Sequence, residues 1–152
     1  MPTSIVPQWD NLPDLTWKEK VAYLSCQFLA MEQTDCPVTH RFEHNLYVRD
    51  IRIPAGSLFI GRAHTKGHVC QLLEGSVIHI TEHGRGIVEA PFEMMTTPGY
   101  HVVLYALTDV LGRTVHPNPS ESRDIAALEA EFAEPVDEFI ALGERIQRTL
   151  LV

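Results

Sequence analysis

Short apolar segments separated by turn-forming residues fill the centre of this chain, and this pattern limits the possible folds more than any other feature. Glycine, proline or aspartate stands between successive segments, as in Pro54-Ala55-Gly56 and Pro98-Gly99. The segments predicted to be strands span residues 46–53, 57–63, 68–73, 76–82, 86–90, 92–97, 101–107 and 110–116. Short strands with turns at this spacing are typical of an antiparallel sandwich or barrel. We therefore expect a mainly β fold.

Helical patterns flank the predicted strands. Thr16 and Glu19 fit a capping box, in which each side chain bonds a free backbone N–H of the first helical turn. Apolar residues then recur every three or four residues, and the helix is predicted to end near Asp35 because a proline follows. Beyond the strands, Ser120 is predicted to cap one further helix and Pro135 to begin another.

The patterns predict three regions along the chain. Residues 1–36 form an N-terminal arm and a helix packed on a β-domain, residues 37–119 form that domain, and residues 120–152 form the C-terminal helices. Three apolar side chains are predicted to hold the arm against the domain: Trp9, Leu12 and Leu15.

Length, charge and cysteine content narrow the class of protein. The 152 residues suffice for one domain with a sizeable core, and the net charge of −8 gives no support for nucleic-acid binding. No apolar run approaches the roughly 18 residues of a membrane span, and the N-terminus lacks the pattern of a signal peptide. The three cysteines have unrelated spacings and are expected to be reduced thiols. We therefore expect a cytoplasmic protein that binds neither nucleic acid nor membranes.

Two histidines four residues apart lie at the bend between two predicted strands. His64 and His68 share one face if the chain stays extended between them, because strand side chains alternate. Imidazole is the commonest protein metal ligand, and two imidazoles on one inward face form half of a metal site. The alternative interpretation is a polar surface bend over residues 62–67.

A second histidine pair depends on the register of the last two predicted strands. If Thr108 and Asp109 form a two-residue hairpin loop, His101 lies directly opposite His116, with Cβ atoms about 4.5–5.5 Å apart. The two imidazoles would then share a metal with the first pair. Alternatively they are partly exposed residues at strand ends, since a slip of one residue moves them to opposite faces.

The remaining polar candidates have weaker patterns. His79 and His83 are predicted to lie on the solvent-facing side of an outer hairpin. His40 and His44 lie in a predicted loop, where they could be structural, rim or substrate-binding groups. Cys70 has the same strand parity as the first histidine pair, and either faces the same interior or is a small buried hydrophobe.

The histidine region resembles the first motif of the cupins, which are small β-barrels with an interior metal. That motif has a glycine, then His-x-His, then a glutamate, and a glycine seven residues beyond the glutamate. Here Gly75 follows His68 by seven residues, so His68 takes the position of the family's glutamate. His64 then matches the second histidine of the motif, and Arg62 replaces the first.

The second cupin motif, Pro-x-Gly-x-x-His-x-x-x-Asn, is altered further. Pro98-Gly99 is recognisable, but Val102 stands at the histidine position, His101 comes one residue early, and the asparagine is absent. The resemblance extends over about residues 37–119. It implies a single antiparallel cupin-type β-barrel (a jelly roll) with an N-terminal helix and C-terminal helices, metal binding through histidines, and a homodimer.

A more extended string is similar to a group of short cupin-like proteins of phages and bacteria. The string consists of Tyr47-x-Arg49, Ile53-Pro54-Ala55-Gly56, Gly61-x-x-His64 and Val115-His116-Pro117. If the chain is phage-encoded, this resemblance implies the host cytoplasm as its location.

Two functional hypotheses follow. In the first, His64, His68 and one or both of His101 and His116 hold a divalent metal (Fe, Ni, Zn, Cu or Mn) in an enzyme of oxygenase or isomerase type that acts on a small molecule. Polar residues at the mouth of the barrel would orient an anionic substrate: Lys66, Arg49, Tyr47 and Tyr105. In the second, the barrel is non-catalytic and binds a small ligand or serves as a phage accessory or structural module.

Overall fold

The computed structural model describes residues 14–150, which form three helices and nine strands. In chain order these are α1 (Trp17–Leu29), β1 (Val38–Glu43), β2 (Leu46–Ile53), β3 (Leu58–Ile60), β4 (Val69–Glu74), β5 (Ser76–Thr81), β6 (Gly84–Glu89), β7 (Phe92–Met95), β8 (Val103–Ala106), β9 (Val110–Pro117), α2 (Ile125–Phe132) and α3 (Val136–Leu150). The predicted arm anchors Trp9 and Leu12 lie outside the described residues. No helix within residues 14–150 is long and apolar enough to cross a membrane.

The strands form two antiparallel sheets, and the predicted mainly β, jelly-roll fold is confirmed. The five-stranded sheet has the order β1-β2-β9-β4-β7, and the four-stranded sheet has the order β3-β8-β5-β6. The two sheets are not closed into a barrel, which corrects that part of the prediction. Apolar side chains of both sheets form a common core cluster: Ile53, Leu72, Val77, Ala106 and Val110.

The predicted hairpin between the last two strands is wrong. β8 pairs with β3 and β5, whereas β9 pairs with β2 and β4, so the chain crosses from one sheet to the other between them. The Thr108 hydroxyl accepts a hydrogen bond from Ser76 N (3.0 Å), and an Asp109 carboxylate oxygen accepts one from Ala55 N (2.9 Å). These side chains bond to segments that are distant in sequence but near in space, so Thr108-Asp109 is a crossover and not a tight turn.

The β1 strand lies where the sequence predicted a loop. His40 and Phe42 lie on this strand, and β1 pairs with β2 through the two-residue connection His44-Asn45. Both connecting residues have positive φ, 52° and 60°, as a tight hairpin turn with the twist of the strands requires. The pair His44-Asn45 is not the Asn-Gly or Asp-Gly pair that usually signals such a turn, so the turn has little signal in the sequence.

The helix starts were predicted with mixed success. The capping box of α1 is confirmed, since Thr16 Oγ1 accepts from Glu19 N (3.2 Å) and Glu19 Oε1 accepts from Thr16 N (3.1 Å). α1 ends before Asp35, at Leu29. The N-cap of α2 is Asp124, whose carboxylate accepts from Ala127 N (3.2 Å), and not Ser120.

Residues 34–134, which contain all nine strands and α2, form one compact unit, and α1 and α3 belong to another. Within the helical unit the absence of a Cβ at Gly143 lets α3 approach the backbone of α1 at Ala22. Cys26 Sγ on α1 also donates to the Ile140 carbonyl on α3 (3.3 Å). The predicted division into residues 1–36, 37–119 and 120–152 stays a prediction.

Candidate metal centre

Three histidines of the unit formed by residues 34–134, called the β-unit from here on, come together around one point. His64, His68 and His116 each offer a ring nitrogen, and the three nitrogens lie within 4.8 Å of one another. His68 and His116 are buried, with 5% and 3% of their surfaces exposed, and His64 is half-buried. This spacing is compatible with three ligands of a single metal ion.

The five-stranded sheet brings His68 and His116 together. Val69 pairs with Val115 in the β4–β9 ladder, and His68 and His116 are the next residues along it. Opposed side chains of an antiparallel pair point to the same face, so both imidazoles face the interior. The partner of His116 is therefore His68, where the sequence predicted His101.

His64 lies in the β3–β4 connection and is held by α2 and by the loop before β8. It forms an isolated bridge with Ala133, and its carbonyl accepts from Gly99 N (2.9 Å). The next residue, Thr65, donates its N–H to the Phe132 carbonyl (2.7 Å). These hydrogen bonds hold the connection in place just before β4 begins, where the His64 ring meets the other two imidazoles.

The three imidazole rings converge. Their centroids are 4.3 Å apart for His64–His68, 4.6 Å for His68–His116 and 5.2 Å for His64–His116. Phe132 of α2 stacks on His116 at 5.2 Å, and Tyr47 of β2 does so at 5.7 Å. Aromatic walls therefore shield the cluster on two sides.

Two of the imidazoles each contact the hydroxyl of a different threonine. Thr96 Oγ1 lies 2.9 Å from Nδ1 of His68, and Thr114 Oγ1 lies 3.0 Å from Nε2 of His116. The other ring nitrogen of each imidazole takes no part in the contact with the threonine. Hydrogen bonds of this kind orient histidine ligands and fix their tautomers in metal sites.

Burial keeps the cluster uncharged. It lowers the pKa of His64 to about 4 and that of His116 to about 3, and the neighbouring histidines contribute in the same direction. Burial also lowers the pKa of His68. Because metal ligation requires the neutral imidazole, the three side chains present lone pairs at neutral pH.

His101, the fourth predicted ligand, lies outside the cluster. It is buried, and its Nδ1 lies 2.9 Å from the carbonyl oxygen of Gly61, which directly follows β3. The prediction that placed it opposite His116 assumed the β8–β9 hairpin, which the structure does not contain.

A cavity of about 370 Å³ lies between the two sheets and includes the histidine cluster in its wall. Of the four predicted substrate-binding residues, Tyr47 and Arg49 line it, and Lys66 and Tyr105 do not. The Lys66 side chain is 70% exposed and forms an ion pair with Glu131 of α2 (3.8 Å). Tyr105 lies on β8, where it pairs with Leu58 and Ile78 of its neighbouring strands.

Residues of the five-stranded sheet line the cavity in successive rows, as the ladder registers require. The first row holds Tyr47, His116 and His68; the second holds Arg49, Thr114, Cys70 and Met94; the third holds Ile51, Gly112, Leu72 and Phe92. The wall thus changes from imidazole to mixed polar to apolar along the strands.

Arg49, in the second row, is half-buried, and its guanidinium forms no hydrogen bond or ion pair within residues 14–150. Glu129 of α2 is the only carboxylate among the described residues that line the cavity, and it forms no ion pair with Arg49. The positive charge of Arg49 lowers the pKa of His64 and His116, as a minor contribution beside that of burial. An unpaired cation beside a cavity favours an anionic ligand there.

The cavity contains a second polar pair, which the sequence pattern did not identify. His79, predicted to face solvent, lines the interior together with Tyr100, and its Nε2 lies 2.7 Å from the tyrosine hydroxyl. The alternation contained a signal, since His79 shares its parity with Val77, a core residue. His40 also has an interior partner, with Nδ1 2.7 Å from the Tyr47 hydroxyl.

Comparison with known proteins found similar solved structures only. No family model and no curated protein matches the chain. Several of the solved structures similar to it are cupin proteins, whereas the resemblance to phage proteins stays a prediction.

Three of these structures illustrate the similarity. A cupin domain from Bordetella pertussis shares 16% identity over 58% of this chain and 98% of its own (TM-score 0.44). A cupin superfamily protein from Desulfitobacterium hafniense shares 4% over 60% and 85% (TM-score 0.48). An acetylacetone dioxygenase from Acinetobacter johnsonii shares 16% over 55% and 61% (TM-score 0.43). At these identities the similarity concerns the fold alone.

Proposed function

We propose that the chain binds one divalent metal ion through His64, His68 and His116, and that it acts as a metal-dependent enzyme on a small anionic molecule held in the adjoining cavity. The observation that carries the proposal is the convergence of three neutral ring nitrogens within 4.8 Å of one another. The donor set contains imidazole only, which suits Fe, Ni, Cu or Zn.

The surroundings of His68 support a ligand role. Thr96 Oγ1 lies 3.1 Å from His68 N, 2.9 Å from its Nδ1 and 3.3 Å from its carbonyl oxygen. A hydroxyl has one donor and two acceptor positions, so it can accept from both nitrogens of His68 and donate to the carbonyl. This arrangement protonates Nδ1 and leaves the Nε2 lone pair for a metal.

The number of ligands supports catalysis more than a structural role. Structural zinc sites use four protein ligands, whereas catalytic sites use three and keep a further position for water or substrate. Here the three histidines face a cavity of about 370 Å³, which Arg49 also lines without an ion pair to any residue between 14 and 150. A metal at this point would supply Lewis-acid or redox chemistry, and the chain's own residues would bind and orient the substrate, as oxygenase or isomerase reactions require.

Elemental analysis of untagged protein, purified without chelator or immobilised metal, tests the proposal. We expect about one metal per chain in the wild type and almost none in the double variant His64→Ala/His68→Ala, with the fold retained by circular dichroism. His83→Ala serves as the control, because this histidine is exposed at the β5–β6 turn. Full metal content in the folded double variant would refute the site.

A further inference from the structure

The cavity has a second polar site on the wall opposite Arg49. His79 belongs to β5 of the four-stranded sheet, and Tyr100 precedes β8 of the same sheet. Both side chains line the cavity, and His79 Nε2 lies 2.7 Å from Tyr100 Oη. This pair belongs to neither the histidine cluster nor the apolar core.

The sheet registers give the width of the second row on the five-stranded sheet. Arg49 of β2 and Cys70 of β4 both pair with Thr114 of the intervening β9, so they lie two strand spacings apart, about 10 Å. Tyr100 lines the same cavity from the side of the four-stranded sheet, just before β8. A small molecule in the second row can therefore extend from Arg49 towards Tyr100.

The two sites differ in charge and so select different groups. The Arg49 guanidinium suits a carboxylate, which it can bind through two parallel hydrogen bonds. Burial raises the pKa of Tyr100 and lowers that of His79, so the pair is neutral at neutral pH. A neutral hydroxyl bonded to a neutral imidazole keeps capacity for one further hydrogen bond, as donor or as acceptor, and suits an uncharged oxygen.

Apolar groups occupy the space around these two sites. Met94 lies in the row of Arg49, and Ile51 and Leu72 lie in the next row along the sheet. From the other sheet, Leu104 pairs with His79 and also lines the cavity. The middle of a ligand that extends between the two sites would therefore contact hydrocarbon side chains.

From this arrangement we propose that the cavity binds a small hydroxy- or oxo-carboxylic acid, whose carboxylate pairs with Arg49 and whose uncharged oxygen bonds to the Tyr100–His79 pair. The inference rests on the proposed function, of which it names the substrate class. The carboxylate and the second oxygen would be separated by an apolar chain.

Calorimetric titration with matched carboxylates tests this inference on the full chain, both metal-free and zinc-loaded. The probes are 4-hydroxybutanoate, 6-hydroxyhexanoate and 8-hydroxyoctanoate, each paired with the acid that lacks the hydroxyl. Because one hydrogen bond contributes about 0.5–1.5 kcal/mol, we expect at least one hydroxy acid to bind about three- to tenfold more tightly than its counterpart.

Variants identify the contacts. Tyr100→Phe should remove the preference for the hydroxyl and leave binding of the plain acid unchanged, whereas Tyr105→Phe, outside the cavity, should keep the preference. Arg49→Gln should weaken every probe about tenfold or more, while the control Arg52→Gln, whose side chain is exposed and pairs with Glu74, should not. His79→Gln provides a second variant should Tyr100→Phe fail to fold.

The outcomes separate this inference from the metal proposal. The inference is overturned if no probe binds. It is also overturned if wild type and Tyr100→Phe prefer the hydroxy acid over the plain acid to the same extent. Metal content is measured on the same samples, so a failure of the metal site appears there. Selective binding of a hydroxy acid by metal-free protein would still support the inference.

Discussion

The two ends of the β-unit interior are built from the same strands but differ in chemistry. At one end, β2, β4 and β9 present Tyr47, His68 and His116, and at the other end they present apolar residues such as Leu72 and Val110. Residues of both ends line the cavity, but the apolar end also forms the core cluster between the sheets, whereas the histidine end carries the candidate metal ligands. The comparison suggests that stability depends mainly on one end and ligand binding on the other.

The largest expected effect is the loss of stability from a substitution at the apolar end. Leu72→Ala removes a buried side chain from the core cluster and should lower the free energy of unfolding by about 2–5 kcal/mol in urea denaturation. The neighbouring Leu73 is half-buried and lies outside that cluster, so Leu73→Ala should cost less. Metal content per folded chain should not change in either variant. An equal cost for both substitutions would contradict the assignment of the core.

The second prediction concerns the stability of the metal-free protein as a function of pH. The pKa of His64 is lowered to about 4 and that of His116 to about 3, from a usual value of 6.5. Between these values the unfolded chain binds more protons than the folded chain, so the free energy of unfolding falls as pH decreases below 6.5. The loss is at most about 1.4 kcal/mol per pH unit for each histidine and is complete below about pH 3.

Urea denaturation from pH 7.5 to pH 4 measures this dependence. The variant His64→Gln/His116→Gln should show a flatter profile, because its folded and unfolded states differ less in proton uptake. A profile as steep as that of the wild type would show that other groups cause the dependence.

A smaller effect tests the contact that orients His68. Thr96→Val keeps the volume but removes the hydroxyl that lies 2.9 Å from Nδ1. We expect zinc affinity, measured by competition with a chelating dye, to fall about 10–100-fold. Thr97→Val is the matched control, because Thr97 is the exposed next residue. Unchanged affinity in Thr96→Val would remove the orienting role of this hydroxyl.

Local patterns in the sequence predicted most elements of the fold. Alternating apolar residues gave the strands, and the Thr16–Glu19 capping box marked the start of α1. The pairing of the strands could not be obtained in this way, because it depends on which sheet the chain joins after each turn. Thr108-Asp109 illustrates the limit, since its side chains bond to distant loops and the local sequence does not show those bonds.

The candidate site was predictable to the extent that its residues are close in sequence. His64 and His68 lie on one short segment and both join the cluster, although residues 65 and 66 form a bend where the sequence predicted an extended chain. The partner of His116 was misassigned because it depends on the β4–β9 register. His79 was misplaced for a related reason: strand parity identifies two faces but does not say which one is interior when the pattern is mixed.

The most direct test of the account compares His116 with His101, since the sheet topology unites the former with His64 and His68 and excludes the latter. Zinc binding is measured by titration and elemental analysis on folded His116→Gln and His101→Gln. The structure predicts that His116→Gln loses most of its bound metal and that His101→Gln keeps about one metal per chain. Loss of metal in His101→Gln with retention in His116→Gln would contradict the three-histidine centre.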